Sequence, residues 1–179
     1  CSELTYYSAY HYLDNRMGTN EDDGIIDHYK ENLDTLGYSV YARVLYSGSD
    51  TIIQYWTFYY FNDGNLNRHE GDWEMTQVVL DASLEPVSTT YSQHENGVTA
   101  KWSDVEKDGD HYNVYVARGS HANYYRSYSG ALGLANDECG DDKKLASGDY
   151  DIIMLTGSET WLNFMGRWGS NEGGDSLIG

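Results

Sequence analysis

The sequence predicts an all-β chain, an antiparallel β-sandwich with few short helices and long irregular loops. Three observations predict it. In segment 38–46, Tyr38, Val40, Ala42, Val44 and Tyr46 alternate with Ser39, Tyr41, Arg43 and Leu45, the period-two pattern of a strand. The segment Ile52 to Tyr60 is β-branched and aromatic throughout. Finally, 18 Tyr and 19 Gly against a single Pro in 179 residues favour strands and turns over helical bundles.

Residues 1–37 read as an irregular N-terminal extension or flap. There Tyr6, Tyr7, Tyr10 and Leu13, then Ile25, Ile26, Tyr29 and Leu33, have the spacing of short amphipathic turns. Segment 38–46 is the first clear strand, Ser47 to Asp50 a turn, and Ile52 to Tyr60 its hairpin partner, buried on both faces. A polar loop runs from Asn62 to Gly71, and Asp72 to Leu80 is the next strand. Val87 to Ser92 and Val98 to Trp102 follow. Asp108-Gly109 is a hairpin dipeptide leading to a strand over Tyr112 to Arg118. Residues 130–149, rich in Gly, Asp and Lys, read as a long surface loop. Tyr150 to Leu155 and Trp161 to Trp168 complete the set. No long helical crossover separates the strands, so antiparallel pairing is expected. There is no internal repeat. The domain plan is an extension over 1–37, a sandwich over 38–169 and a tail over 170–179.

Charge narrows the partners. Lys plus Arg number 11 and Asp plus Glu 29, a net −18. A polyanion such as nucleic acid is repelled, and no polybasic membrane patch exists. The balance suits a protein that recruits cations, or one that lives outside the cell or at its surface. An apolar content of 40% supports a real core, and no apolar run is long enough to cross a bilayer. Acids in 104–110 and 137–142 are expected to solvate the surface. The two cysteines, Cys1 and Cys139, leave three readings for Cys1: a disulfide with Cys139, the lipid-bearing first residue of a lipoprotein, or a cut site.

Chemistry concentrates in His69-Glu70-Gly71-Asp72-Trp73-Glu74. Asp72 and Glu74, two apart on a strand, project from one face, and His69 can fold back across Gly71. Two carboxylates and an imidazole on one face are costly unless paired, hydrated or bound to a cation. Oxygen and imidazole donors suit Ca²⁺, Mg²⁺, Mn²⁺ or Zn²⁺. The alternative is an exposed strand face with solvated carboxylates. His94 and His121 follow strand ends, beside Glu95 and Ser120, where imidazoles can act as acid or base. His11, His28 and His111 have no such setting. Asp104-x-Glu106-x-Asp108-Gly109 and Thr19-x-Glu21-x-Asp23-Gly24 copy only half of an EF-hand loop, with Tyr115 and Lys30 at the closing positions. Gly119-Ser120-His121 lacks the Gly-x-Ser-x-Gly elbow, so a serine nucleophile is unsupported.

The segments Ile53 to Asp63, His69 to Glu74, Ser92-Gln93-His94, Ala117 to Tyr124 and Gly166-Arg167-Trp168-Gly169 resemble the core of the vacuolar protein sorting-associated protein 62 family, over about Tyr38 to Gly169. That name defines no biochemical activity. Asp72-Trp73-Glu74 is also similar, more distantly, to the Gly-His-Arg-His-Asp-Trp-Glu signature of the necrosis- and ethylene-inducing-peptide-like cytolysins. The signature's first His falls on His69 and its second on Gly71. That family is a β-sandwich that holds a divalent cation through Asp, His and Glu at its rim and binds glycosylated lipid headgroups. The resemblance implies that His69, Asp72 and Glu74 hold a cation, with Asp63 a further ligand and His94 and His121 lining the pocket. Gly71 in place of the second His, and the net acidity, argue against cytolysin activity itself.

The expected function is an extracellular, divalent-cation-binding protein that holds a glycan or polar headgroup at this rim. One alternative is a metal-dependent hydrolase, with His94 or His121 as acid or base and Arg118 or Arg126 steadying an anionic transition state. The other is an extracellular structural protein, for which self-assembly stays open.

Overall fold

The computed structural model describes residues 12–13, 27, 31–32, 35, 37–64, 68–132, 135–140 and 144–168. The expected N-terminal turns, the Thr19 to Gly24 loop, Cys1, His11, His28 and the 170–179 tail lie outside them. The chain is all-β and sandwich-like. Its strands are β1 (Tyr12–Leu13), β2 (Ser39–Ser47), β3 (Asp50–Asn62), β4 (His69–Leu80), β5 (Pro86–Gln93), β6 (Asn96–Lys101), β7 (Lys107–Asp108), β8 (His111–Tyr112), β9 (Tyr115–Val116), β10 (Asn123–Tyr124), β11 (Ser129–Leu132), β12 (Ala135–Glu138), β13 (Asp151–Met154) and β14 (Arg167–Trp168). Two 3₁₀ turns, Trp102–Asp104 and Thr160–Asn163, interrupt them. Among the described residues, no helix is long and apolar enough to cross a membrane.

One layer is a six-stranded sheet in the order β13-β2-β3-β4-β5-β6. From β2 to β6 it is an antiparallel meander, as the short turns between those strands require. The edge differs from expectation, because β13 runs parallel to β2. It returns after a long excursion through the second layer, so no tight turn dictates its direction. That layer consists of short two-stranded pieces, β7-β8, β9-β10 and β11-β12.

Several sequence expectations need correction. Ile52 to Tyr60 is half-buried along its whole length rather than buried on both faces. The strand expected over Tyr112 to Arg118 breaks into β8 and β9. Residues 130–149 are not one loop, for β11 and β12 form a hairpin there. Trp161 to Trp168 is a 3₁₀ turn followed by the short β14.

The core is two clusters. Tyr91, Ala100 and Val105, flanked by Val98, Tyr112 and Tyr125, pack between the sheet and the Trp102–Asp104 turn. Ala117, Ala122, Tyr124 and Cys139, flanked by Tyr115 and Tyr128, pack between the 117–124 loop and β12. Tyrosine fills both because its ring buries area while its hydroxyl finds a partner: Tyr112 Oη meets Thr76 Oγ1 at 2.9 Å, and Tyr91 Oη donates to the Asn113 carbonyl at 3.3 Å. Cys139 is 4% exposed in the second cluster. Asp104 and Asp108 flank an ordinary hairpin at β7-β8, with Gly109 at φ +62°.

Candidate functional site

The register of β3 against β4 sets the site. Asp72 lies opposite Tyr59 and Glu74 opposite Thr57, so both carboxyls leave the face that the second layer covers. Strand β4 starts at His69, earlier than the loop expected there, which fixes His69 on the strand. Gly71 interrupts the pairing at φ +72°. A Cβ on it would stand 2.5 Å from Trp168 Cβ, closer than real contacts allow. A side chain as large as histidine would not fit there without moving Trp168.

The Ala117 to Ala122 loop closes over this strand. Its turn is held by His121 N donating to the Ala117 carbonyl at 3.1 Å and Ala117 N to the Ala122 carbonyl at 2.9 Å. Gly119, at φ +78°, lets the loop touch β3, since a Cβ there would lie 2.6 Å from the Asp63 carbonyl oxygen. Asp63 N in turn donates to the Gly119 carbonyl at 2.9 Å. His121 has φ +57°, an unusual conformation for a residue with a side chain. It aims the ring inward: the imidazole stacks on Tyr59 at 3.8 Å and 2°, and Nδ1 lies 3.0 Å from Asp72 Oδ2. Asn62 Nδ2 donates to the same oxygen at 3.4 Å. His69 Nε2 is 3.9 Å from the other, Oδ1.

Glu74 lies deeper, 5% exposed. Ser92 Oγ donates to its Oε2 and accepts from Met75 N at 2.8 Å. Asn123 Nδ2 donates to the same carboxyl oxygen at 3.5 Å. Burial pushes the Glu74 carboxyl up to about 8, the charges of Asp72 and Asp137 push the same way, and the Ser92 bond opposes them. Tyr59 is raised as well, by burial and then by the charges of Glu74 and Asp72.

A second Asp–His pair flanks Glu74. Asp137, 2% exposed, receives His94 Nε2 at 2.8 Å, Ser120 Oγ at 2.7 Å and the Tyr124 hydroxyl at 2.6 Å. Burial opposes its ionisation, but these three bonds and the His94 charge outweigh it and hold the carboxyl below its ordinary range. The expectation that acids in 137–142 solvate the surface is therefore wrong for Asp137. His94 is the first residue of the two-residue β5-β6 loop, at φ +50°, where a type II′ turn prefers glycine.

The sequence-nominated residues separate into two groups. His69, Asp72, Glu74 and His121 converge, and His94 stands beside them through Asp137. Asp63 instead pairs with Arg68. Arg126 lies over the Tyr125 ring at 5.1 Å, and Arg118 is exposed near Gly140. Among the described residues, no group of three or more His, Cys, Asp or Glu side chains is gathered closely enough to hold a metal ion as it stands. None of Asp72, Glu74 and Asp137 is paired with a Lys or Arg among the described residues. Asp137, Asn62, Asn123 and Tyr59 were not singled out from sequence. Along β12 and the residue after it, Asp137 and Cys139 are buried while Asn136 and Glu138 are exposed, an alternation that the polar run Asn136-Asp137-Glu138 does not show in sequence.

No family model matches the chain, so the resemblance to the vacuolar protein sorting-associated protein 62 family has no support there. No curated protein matches it either. Solved structures similar to it include necrosis- and ethylene-inducing proteins of the toxin fold. One, described as NLPPya in complex with glucosamine, has a TM-score of 0.49 at 19% identity and covers 70% of this chain and 55% of its own. The same protein with mannosamine has a TM-score of 0.48 at 19% identity, over 70% of this chain and 54% of its own. The Necrosis and Ethylene inducing Protein 2 of the causal agent of cocoa's Witches Broom disease has a TM-score of 0.44 at 15% identity, over 64% of this chain and 50% of its own. The chain spans about half the length of these structures.

Proposed function

We propose that this protein binds a polar, hydroxyl-rich ligand, a glycan or polar headgroup, at the Asp72–Glu74 rim with the help of a divalent cation. The observation that carries the reading is Glu74. Its buried carboxyl is held well above its ordinary value by burial and by two neighbouring carboxylates, and no Lys or Arg among the described residues compensates them. A bound cation removes that penalty at once. Asp72, Glu74 and His69 are the residues that would hold it. Their carboxylate and imidazole donors suit Ca²⁺, Mg²⁺, Mn²⁺ or Zn²⁺. Asp63 would join them only by leaving Arg68. Such a cation would supply an open coordination site for vicinal hydroxyls. His121 and His94 would hydrogen-bond the rest of the ligand, while the buried Asn62 and Asn123 amides hold the two carboxyls. Aminosugars, named for the similar structures, are the first ligands to try. An extracellular or cell-surface setting fits the net charge of −18.

Thermal melting of the full chain with each of the four cations, then with excess chelator, tests the common premise. The melting temperature should rise with at least one cation and fall back with chelator. If no cation moves it, the cation part of the reading is wrong.

The Asp72–His121 contact supports a second reading, a hydrolase in which Asp72 orients His121 as general base. A screen of phosphoester, ester and glycoside substrates beside His121→Ala separates the two. Turnover abolished in the variant favours the hydrolase, and binding without turnover favours the binder.

A further inference from the structure

The other face of the six-stranded sheet carries a different chemistry. Gln54 stands opposite Arg43 and Gln77, Gln77 opposite Thr90, and Thr90 opposite Thr99. The five residues form one row across β2 to β6. The row is also one oriented chain of hydrogen bonds. Trp56 Nε1 donates to Gln54 Oε1 at 3.4 Å, Gln54 Nε2 to Gln77 Oε1 at 3.1 Å, and Gln77 Nε2 to Thr90 Oγ1 at 3.5 Å. Thr90 Oγ1 meets Thr99 Oγ1 at 3.0 Å. Gln54, Gln77 and Thr90 are half-exposed, and Thr99 is exposed. The β3-side end of the row adjoins an aromatic wall, where Tyr41 packs on Trp73 and Trp161, and Trp73 stacks on Trp161 at 6.0 Å and 7°.

Charge sets this face apart. The acids of this face include Asp50 at the β2-β3 turn and Asp151 on the β13 edge, opposite Ser39, in a chain that has 29. Arg43 and Lys101, near opposite edges of the sheet, balance these two acids. Each glutamine amide has two N–H donors and spends one along the row, which leaves each a second donor for a ligand. Because the row already orders these side chains, a ligand meets groups that need not be immobilised on binding.

We infer that this face is a second binding surface, specific for an uncharged oligosaccharide and independent of any cation. Amides and hydroxyls recur across it at the strand spacing of about 4.8 Å, a step comparable to one sugar ring, and Trp56 offers a half-exposed ring at one end. The balance of two acids against two bases suits a neutral chain. Two basic groups at opposite edges are too few for a polyanion, and the net charge of −18 opposes docking of a second copy.

The test is a ¹H–¹⁵N NMR titration of the full chain in chelator, using cellohexaose, xylohexaose, mannohexaose and chitohexaose as probes. The expected result is a saturable shift of the Gln54 and Gln77 side-chain amides and the Trp56 indole with at least one probe. Gln77→Ala should weaken that binding by about tenfold, and Glu74→Gln should leave it unchanged. Thr99→Ala, at the exposed end of the row, reads the same face should Gln77→Ala fail to fold. The inference is overturned if no probe shifts these signals at about 10 mM, or if binding survives both row substitutions. It is also overturned if sedimentation shows a dimer that shields Trp56. Because chelator is present throughout, failure of the cation site leaves this result unaffected.

Discussion

His121 presents Nδ1 to Asp72 Oδ2 at 3.0 Å while its ring lies flat on Tyr59, from a backbone at φ +57°. His94 presents the other nitrogen, Nε2, to Asp137 at 2.8 Å, from φ +50°. An imidazole N–H that faces a carboxylate donates to it. When neutral, His121 should therefore be the Nδ1–H tautomer and His94 the Nε2–H tautomer. Long-range ¹H–¹⁵N correlation reads both, and one tautomer shared by the two rings would contradict the geometry.

The positive φ at His121 makes a substitution ordering. His121→Ala loses the stack and the Asp72 bond yet keeps a side chain in the left-handed region. His121→Gly loses the same contacts but relieves the backbone. Glycine should be the less destabilising of the two by roughly 1 kcal/mol, measured by urea unfolding. Alanine equal to or better than glycine would sink the claim of strain.

Gly71→Ala places a methyl group 2.5 Å from Trp168 Cβ and at φ +72°. It should cost roughly 1–3 kcal/mol and red-shift the tryptophan fluorescence as Trp168 is displaced. Gly71→His, which puts a far larger side chain in the same place, should be worse. A stable Gly71→His variant with unchanged fluorescence would show that Trp168 does not close over Gly71.

Glu74 gives a pH dependence of definite sign. Its folded-state value of about 8 lies above its ordinary 4.5, so between those values the folded chain binds the extra proton. Stability from this group is greatest below about 4.5 and falls as pH rises through about 8. Asp137, held low, works the other way and loses its contribution as pH falls. Glu74→Gln should flatten the alkaline fall in melting temperature between about pH 5 and pH 9. An unchanged slope in the variant would assign the fall to another group.

Asp137→Asn puts an amide where three donors converge, so at least one of the His94, Ser120 and Tyr124 bonds is lost. The cost should be roughly 1–3 kcal/mol, with loss of the His94 tautomer signature. A variant as stable as the native chain would mean that Asp137 is not the organiser of this pair.

The meander from β2 to β6 was legible because its alternation and turns are local properties of the chain. Asp72 and Glu74 were legible for the same reason, since two residues apart on a strand must share a face. His121 and His94 were found as residues near turns, but their partners were not, because Asp72–His121 and His94–Asp137 join positions about 40 to 50 apart. Asp137 was read as a solvated acid because it lies in the Gly-, Asp- and Lys-rich stretch 130–149, which reads as a surface loop. Only the β11-β12 hairpin and the Ser120 and Tyr124 hydroxyls make it a buried acceptor. The parallel β13 edge was missed because strand direction after a long connection is set by packing, which periodicity does not encode.

The most direct test of the cation-dependent site is isothermal titration calorimetry of the chain with Ca²⁺, Mg²⁺, Mn²⁺ and Zn²⁺, repeated on Asp72→Asn and Glu74→Gln. The proposed site predicts one saturable cation per chain for at least one metal, with proton release near pH 7 as Glu74 ionises and an affinity at least about tenfold weaker in each variant. No saturable binding to the native chain, or equal binding to both variants, would contradict it.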